Sequence, residues 1–242
     1  HQKALHIASQ ALDIAVKVED VNRLDFLLMI SDIYIDEGDR SQAEEVLTSA
    51  LGIVRTHKSS PTMLEDAAKL AGRFIKLGKE LETAEILAML EESVEFAENP
   101  VDKINGILLR NELLVKLNRD EEAKKRYREA FEYIIKLIDG RSKIFLLGKL
   151  AVGCLQIKDR DIAIEAVNII KELARDKKTR TLGIGSIAEE IAECGEYEIA
   201  LELAGSVKQI NVKAEALINI ASGIIESGQN HDDAINRFLT EV

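Results

Sequence analysis

A glycine-rich segment is the part of the sequence whose spacing comes closest to a chemical motif. Gly183, Gly185 and Ala188 match the dinucleotide-binding pattern, in which a helix N-terminus meets a pyrophosphate. That chemistry requires a β-strand directly before the glycines, and no strand pattern precedes residue 183. Since the same residues also fit the helical repeat described below, we predict that they pack between helices and bind no cofactor.

Histidine and cysteine are too scattered along the chain to predict a metal site or a catalytic set. The four histidines have no cysteine or carboxylate at metal-ligand spacing: His1, His6, His57 and His231. The aspartates after His231 instead suit the first turn of a helix, where they face the positive end of its dipole. Cys154 lies in an apolar stretch and Cys194 lies beside a glycine, and neither has a neighbour that activates a thiolate. We therefore predict no catalytic residue, no metal and no cofactor, and hence a protein that is not an enzyme.

Composition excludes several further classes of protein. The 242 residues are 46% hydrophobic and include only two prolines, which is enough apolar material to bury a full core. No apolar run reaches the ~20 residues that a membrane-spanning helix needs. Two cysteines do not make a disulfide framework, which predicts a cytoplasmic location. The net charge of −11 disfavours non-specific binding to nucleic acid or to an anionic membrane.

Apolar residues recur at intervals of three and four throughout the chain, as in Ile187, Ile191, Ile199 and Leu203. No segment alternates with a period of two, so the pattern predicts an all-α fold. Both prolines stand at the start of a helical pattern, where a missing N–H costs nothing. The predicted helices cover residues 4–18, 22–37, 40–56, 61–77, 80–97, 101–117, 120–138, 142–157, 160–175, 181–194, 197–208, 212–227 and 231–240.

A longer repeat is superimposed on this helical pattern. Each repeat has a turn residue, which we call the anchor: Gly38, Gly78, Asn118, Lys158, Gly195 and Gly228. An alanine follows each anchor after five or six residues: Ala43, Ala84, Ala123, Ala163, Ala200 and Ala234. Eleven residues before each anchor is an apolar side chain: Leu27, Ala67, Ile107, Leu147, Ile184 and Leu217. Seven before it the residue is usually small: Ser31, Ala71, Asn111, Ala151, Ala188 and Ala221. Four before it is a larger apolar residue: Tyr34, Phe74, Leu114, Cys154, Ile191 and Ile224.

These offsets predict a series of helical hairpins. Positions −11, −7 and −4 share one face of the first helix, and the alanine lies on the facing side of the second. A small residue from each helix lets the two axes approach closely, while the larger residue fills the space beside them. Glycine or asparagine at the anchor adopts a left-handed backbone at low cost. Each hairpin leaves an apolar face that the next hairpin can cover, which predicts a stacked solenoid.

Two of the hairpins resemble the tetratricopeptide repeat (TPR). The first contains Ile30-Ser31-x-x-Tyr34-x-x-x-Gly38-x-x-x-x-Ala43. The second contains Ile187-Ala188-x-x-Ile191-x-x-x-Gly195-Glu196-Tyr197-x-x-Ala200. The resemblance covers residues 22–242 and implies a right-handed α-α superhelix, or solenoid, of about six antiparallel helix pairs. The chain departs from the family in having no tryptophan and in a repeat spacing near 40 residues, above the family's usual ~34.

The resemblance also implies a domain organisation. Residues 22–242 are predicted to form a single TPR-like solenoid of six helical hairpins. Residues 1–21 are predicted to form a leading helix, which is either a cap or the second helix of a truncated repeat.

In such a fold, the resemblance implies that the first helix of each hairpin lines a concave face. Polar residues at the matching positions are the predicted partner-binding residues: Asp32, Asp36, Lys69, Lys76, Asn105, Glu112, Lys116, Lys149, Gln156, Glu189, Glu193 and Ser222. The implied function is a non-catalytic scaffold or adaptor that binds a protein or peptide of unknown identity. Nucleic acid and membrane are not favoured as partners.

Charge is unevenly distributed and leaves alternatives open. Residues 101–180 carry 19 basic and 13 acidic side chains, whereas the chain on either side of them is acidic. Solvated outer faces explain this most simply. A polarised surface would instead orient an acidic partner segment or allow self-association. The basic band also makes RNA binding an alternative function, and a regulatory subunit of an enzyme complex is another.

Overall fold

The computed structural model of the chain describes residues 2–18, 20–57, 61–175 and 183–227. Within these ranges the chain forms α-helices joined by short turns and no strand, which confirms the predicted all-α class. The helices are α1 (Gln2–Ala15), α2 (Asp20–Asp36), α3 (Arg40–Thr56), α4 (Pro61–Leu77), α5 (Glu80–Phe96), α6 (Pro100–Lys116), α7 (Asp120–Ile134), α8 (Gly140–Gln156), α9 (Arg160–Arg175), α10 (Ile184–Glu193), α11 (Tyr197–Ser206) and α12 (Ile210–Ser227). The predicted helix over residues 231–240 lies outside the described residues. None of the described helices is both long and apolar enough to cross a membrane.

The chain forms two compact units, residues 1–118 and residues 119–242. In the first unit each helix from α1 to α6 packs against the next, and α2, α4 and α6 also pack in succession. Its core includes fully buried side chains from four helices: Leu27, Leu47, Phe74 and Leu90. Because an amphipathic hairpin leaves one apolar face uncovered, this succession is what buries each hairpin.

In the second unit, which runs from α7 to α12, alternate helices pack against each other. Here α8, α10 and α12 pack in succession, and α9 packs against both α7 and α11. Two glycines permit the closest approaches. A Cβ at Gly153 of α8 would lie 2.2 Å from the hydroxyl of Tyr127 on α7, and one at Gly148 would lie 2.6 Å from Ile187 on α10. A side chain at either position would therefore overlap a side chain of the neighbouring helix, so glycine allows these helices to pack closely.

The turn after each first helix from α2 to α10 has a left-handed backbone, as predicted. Positive φ angles occur at every described anchor: Gly38, Gly78, Asn118, Lys158 and Gly195. In four of these turns, the N–H of the residue after the anchor donates to the carbonyl of the residue four positions before the anchor. The nitrogen–oxygen distance is 2.8 Å from Asp39 to Tyr34 and 2.9 Å from Asp159 to Cys154. This is the hydrogen bond of a Schellman motif, and it ends the helix at a defined residue.

Burial confirms the predicted offsets in the first five hairpins. Every residue at offsets −11, −7 and −4 is buried there, including the polar Ser31 and Asn111. The prediction was wrong for Ala84, which is exposed. Thr83 is buried in its place, and its hydroxyl donates to the carbonyl of Lys79 at 2.7 Å. The reason is geometric, because a shift of one residue turns a side chain by ~100° around the helix.

The sixth predicted hairpin is represented by α12 alone. This helix packs against α10 and α11, and its buried side chains include Val212, Ala216 and Ile220. Leu217 is half-buried and Ala221 is exposed, so the predicted offsets −11 and −7 do not face this core. The anchor at position 228 and the alanine at position 234 lie outside the described residues.

Ion pairs join the second helices of successive hairpins in both units. Arg55 of α3 donates to both carboxylate oxygens of Glu85 on α5, each at 2.7 Å. In the second unit, Lys171 of α9 pairs with Glu202 of α11 at 2.9 Å. Both glutamates follow their anchors by seven residues. Pairs at such a surface contribute less than about 1 kcal/mol each, so apolar burial accounts for most of the stability of the stack.

The alanine at the helix crossing can be tested by a matched pair of substitutions. Ala200→Leu enlarges a fully buried side chain, and we expect the free energy of unfolding to fall by about 1–3 kcal/mol. Ala84→Leu makes the same change at an exposed alanine and should alter that energy by less than about 0.5 kcal/mol. Chemical denaturation followed by circular dichroism measures both values. Equal effects of the two substitutions would contradict the close helix crossing.

Candidate functional site

Polar side chains on α2, α4 and α6 form contacts between successive first helices of the first unit. Arg73 of α4 donates to both carboxylate oxygens of Asp32 on α2, at 2.9 and 2.5 Å. One hairpin further along, Asn105 of α6 donates to Glu65 of α4 at 3.3 Å. Asp32 and Asn105 are predicted partner-binding residues, and both are already engaged in contacts within the unit.

The other predicted residues of this unit lie at the surface of the same helices. Lys69 donates to Asp66 at 2.8 Å, and this hydrogen bond raises the pKa of the lysine. Lys116 donates to Glu112 at 2.6 Å, four residues earlier on the same helix. Two further predicted residues are exposed: Asp36 and Lys76. Much of the predicted charge in this unit is therefore neutralised by neighbouring side chains.

A groove in the second unit brings two predicted residues together. It lies beside the end of α8 and the turn between α10 and α11, and its volume is about 860 Å³. Gln156 of α8 and Glu193 of α10 both line it, and both are exposed. The groove is also lined by Val152, Leu155, Lys158, Arg160, Glu190, Cys194 and Glu196. The packing of α10 against α8 brings these residues of two hairpins to one place.

The lining of the groove contains charges of both signs. Arg160 pairs with Glu196 at 2.9 Å, which joins the turns of successive hairpins. The lining also contains the carboxylates of Glu190 and Glu193, and the one further cation in it is Lys158. With three carboxylates and two cations, the residues that line the groove carry a net charge of −1.

The cysteine of the groove is protonated at neutral pH. Burial, together with the nearby carboxylates of Glu193, Glu190 and Glu196, raises the pKa of the Cys194 thiol to about 11. Since the thiolate is the nucleophilic form, this environment suppresses nucleophilic chemistry. Cys154 is fully buried in α8, and burial raises the pKa of its thiol to about 12.

The remaining predicted residues of the second unit do not line this groove. The ammonium of Lys149 lies 4.7 Å from the ring centroid of Phe145, one turn earlier on α8. Glu189 of α10 accepts a hydrogen bond from Asn219 of α12 at 3.0 Å, which joins these two first helices. Ser222 is exposed on α12. Among the five predicted residues of this unit, the groove therefore unites Gln156 and Glu193.

Three basic residues at these contacts or in the groove were not among the predicted partner-binding residues: Arg73, Lys158 and Arg160. Arg73 precedes its anchor by five residues, an offset that the TPR resemblance does not assign to the concave face. Lys158 is itself an anchor, and Arg160 follows it by two residues. The sequence contains a signal that could have indicated the Arg160–Glu196 ion pair. A basic residue lies just after one anchor, and an acidic residue lies just after the next.

The basic cluster of α7 lies around a buried carboxylate. Lys124 and Arg128 approach Asp159 at 3.4 and 3.8 Å, and Asp159 is 5% exposed. On the same helix Arg126 lies 4.0 Å from Glu122. These cations are therefore engaged with acidic groups of their own unit.

The glycine-rich segment packs as predicted. Gly183 precedes α10 with a φ of +94°, and Gly185 and Ala188 are buried in that helix. A Cβ at Gly185 would lie 3.6 Å from the backbone of α12. Across the described part of the chain, no three histidine, cysteine, aspartate or glutamate residues are grouped closely enough to hold a metal ion.

Comparison with known proteins supports the helical fold. No protein-family model matches the chain, and no curated protein matches it. Among solved structures, the chain is similar to BtubC (BKLC) from P. vanneervenii, with 16% identity, a TM-score of 0.52, and 95% of this chain and 93% of that chain covered. Ton1535 from Thermococcus onnurineus NA1 is also 16% identical, with 98% and 80% covered and a TM-score of 0.40. At this identity the likeness to BtubC shows the fold alone.

The raised thiol pKa predicts a pH dependence of alkylation. With a pKa of about 11 instead of 9.0, Cys194 has a thiolate fraction about a hundredfold lower at pH 8 than an ordinary cysteine. We expect iodoacetamide to modify Cys194 slowly at pH 8 and faster as the pH rises towards 11. Peptide mass spectrometry measures the rate, with free cysteine as the control. A rate that reaches its plateau below pH 9 would show that the pKa is not raised.

Proposed function

We propose that the chain is a non-catalytic scaffold or adaptor that binds a protein or peptide. In this proposal the hairpins are TPR-like and continue as one right-handed superhelix of about six helix pairs, with the partner on its concave face. The observation that supports it best is the groove of the second unit, which both Gln156 and Glu193 line. A cytoplasmic location belongs to the same proposal, on the basis of the low cysteine content.

A lysine or arginine side chain is the ligand group that suits this groove. Glu193 supplies negative charge at an exposed position of the lining, and Arg160 is already paired with Glu196. The apolar surfaces of Val152 and Leu155 can pack against the methylene chain of such a ligand. A partner of this kind includes the catalytic subunit of an enzyme complex, so a regulatory subunit is a special case of the proposal.

RNA binding through residues 101–180 is the less favoured function. Lys124 and Arg128 lie close to Asp159, and Arg126 lies close to Glu122. Tyr127 is buried, so it offers no surface on which a base could stack. A phosphate backbone would have to compete with these carboxylates for each cation.

A peptide selection with matched variants tests the groove. We expect a random peptide library, selected on the purified chain, to yield binders enriched in lysine or arginine. Glu193→Lys should weaken the binding of the selected peptides by about tenfold, because it reverses the charge of an exposed residue in the lining. Fluorescence polarisation with a labelled peptide measures the dissociation constant.

The control is Glu172→Lys, which makes the same charge change at an exposed residue of α9 that is not part of the lining. This variant should bind the peptide within about twofold of the unmodified chain. Failure to select any peptide would contradict the proposed function. Equal affinities of the two variants would show that the peptide binds elsewhere.

The RNA alternative is tested by an electrophoretic mobility shift at two salt concentrations. We expect no binding of single-stranded RNA at about 150 mM salt. The chain is acidic and its α7 cations lie close to carboxylates, so its electrostatic affinity for phosphate is weak. Weak binding confined to low salt would agree with this expectation. Tight binding that persists at the higher concentration would favour the RNA function over the protein partner.

A further inference from the structure

Three polar side chains that line the groove have no partner among the described residues of the chain. Gln156 is the last residue of α8, Lys158 lies in the turn that follows it, and Glu193 ends α10. All three are exposed, and none forms a side-chain hydrogen bond or an ion pair with another described residue. They are therefore available to a ligand.

The other charged groups of the lining are already engaged. Arg160 pairs with Glu196 at 2.9 Å, and Glu190 also interacts with another residue of the chain. In the lining that the structure describes, the unpaired charges are therefore the cation of Lys158 and the anion of Glu193. No ion pair joins these two residues to each other, so each can meet a group of the ligand.

The backbone of Lys158 is unusual for a lysine. Its φ is +59°, in the left-handed region that side chains with a Cβ disfavour. Of the other described anchors, three are glycine and the fourth is Asn118. The turn is closed by backbone hydrogen bonds, including one of 3.0 Å from the N–H of Lys158 to the carbonyl of Leu155, so it makes no use of the lysine side chain. Strained residues of this kind cluster at ligand sites, which points to a role of this side chain in binding.

A ligand with positive charge alone would match Glu193 but not Lys158. Its basic side chain would share the groove with the Lys158 ammonium, and like charges repel. A ligand that also carries an acidic group would satisfy both charges. The Gln156 amide can donate to or accept from the backbone of such a ligand, since it has both kinds of hydrogen-bonding group.

We propose that the groove binds a peptide segment that carries a basic and an acidic side chain close together in its sequence. The basic side chain pairs with Glu193, and the aspartate or glutamate of the ligand pairs with Lys158. Lys158 is then the specificity-determining residue that distinguishes this segment from a purely basic one. This inference rests on the proposed function and adds the acidic group to its ligand.

A peptide selection distinguishes this inference from the proposed function itself. Every peptide of a synthetic random library is acetylated at its N-terminus and amidated at its C-terminus, so all its acidic groups are side chains. We expect the binders to be enriched in lysine or arginine and also in aspartate or glutamate. Enrichment of basic residues alone would overturn the inference and leave the proposed function standing. Selection of no peptide would contradict both.

Lys158→Gly tests the assigned contact and retains the turn, because glycine favours this backbone. On the unmodified chain, changing the acidic residue of a selected peptide to its amide should weaken binding by about tenfold. On Lys158→Gly the same change should alter binding by less than about twofold, since the cation that it paired with is gone. Fluorescence polarisation measures the four dissociation constants. The melting temperature of the variant should be equal to that of the unmodified chain or higher.

Two controls separate the loss of charge from the change in backbone. Asn118→Gly makes the same backbone change at an anchor that is not part of the lining. Lys125→Gln removes a positive charge from an exposed residue of α7 that is also not part of it. Both variants should discriminate between the peptide and its amide as the unmodified chain does. Discrimination that persists in Lys158→Gly would overturn the proposal, because another cation, such as Arg160, would then hold the acidic group.

Discussion

The left-handed turn after each first helix is the constraint on which the rest of the structure depends. In four hairpins the N–H after the anchor donates to the carbonyl four residues before the anchor. The residue that supplies this carbonyl is also the large apolar residue of the hairpin, for example Tyr34 or Phe74. The end of the helix and the position of its buried face are therefore set together, and the second helix begins two residues after each of these anchors.

Close packing of the hairpins then determines which polar groups are available to a partner. In the first unit, first helices approach closely enough for Arg73 to bond Asp32 and for Asn105 to bond Glu65. In the second unit, the groove beside α8 and α10 contains one ion pair across successive turns, from Arg160 to Glu196, and further carboxylates beside it. The same stacking thus joins first helices through polar side chains in both units, and in the second unit it also forms the groove.

Burial could be predicted in the first five hairpins because position in the repeat matters more than residue type. Ser31 and Asn111 are polar, yet both are buried at the offset that the pattern reserves for small residues. Ala84 shows the limit of this reasoning, since both Thr83 and Ala84 are small enough for the crossing. The phase of α5 decides between them, and the hydroxyl of Thr83 is satisfied by the backbone of its own helix.

Periodicity and turn chemistry act over a few residues, which is why the amino-acid sequence alone determined the helices, their anchors and the faces that they bury. The offsets of Gln156 and Glu193 also placed them in the predicted partner-binding set, which stays a prediction. Only the tertiary structure decided that these two residues share one groove and that Arg160 pairs with Glu196. Those contacts join different hairpins, so they depend on the distance and rotation between stacked helices, which no local pattern specifies.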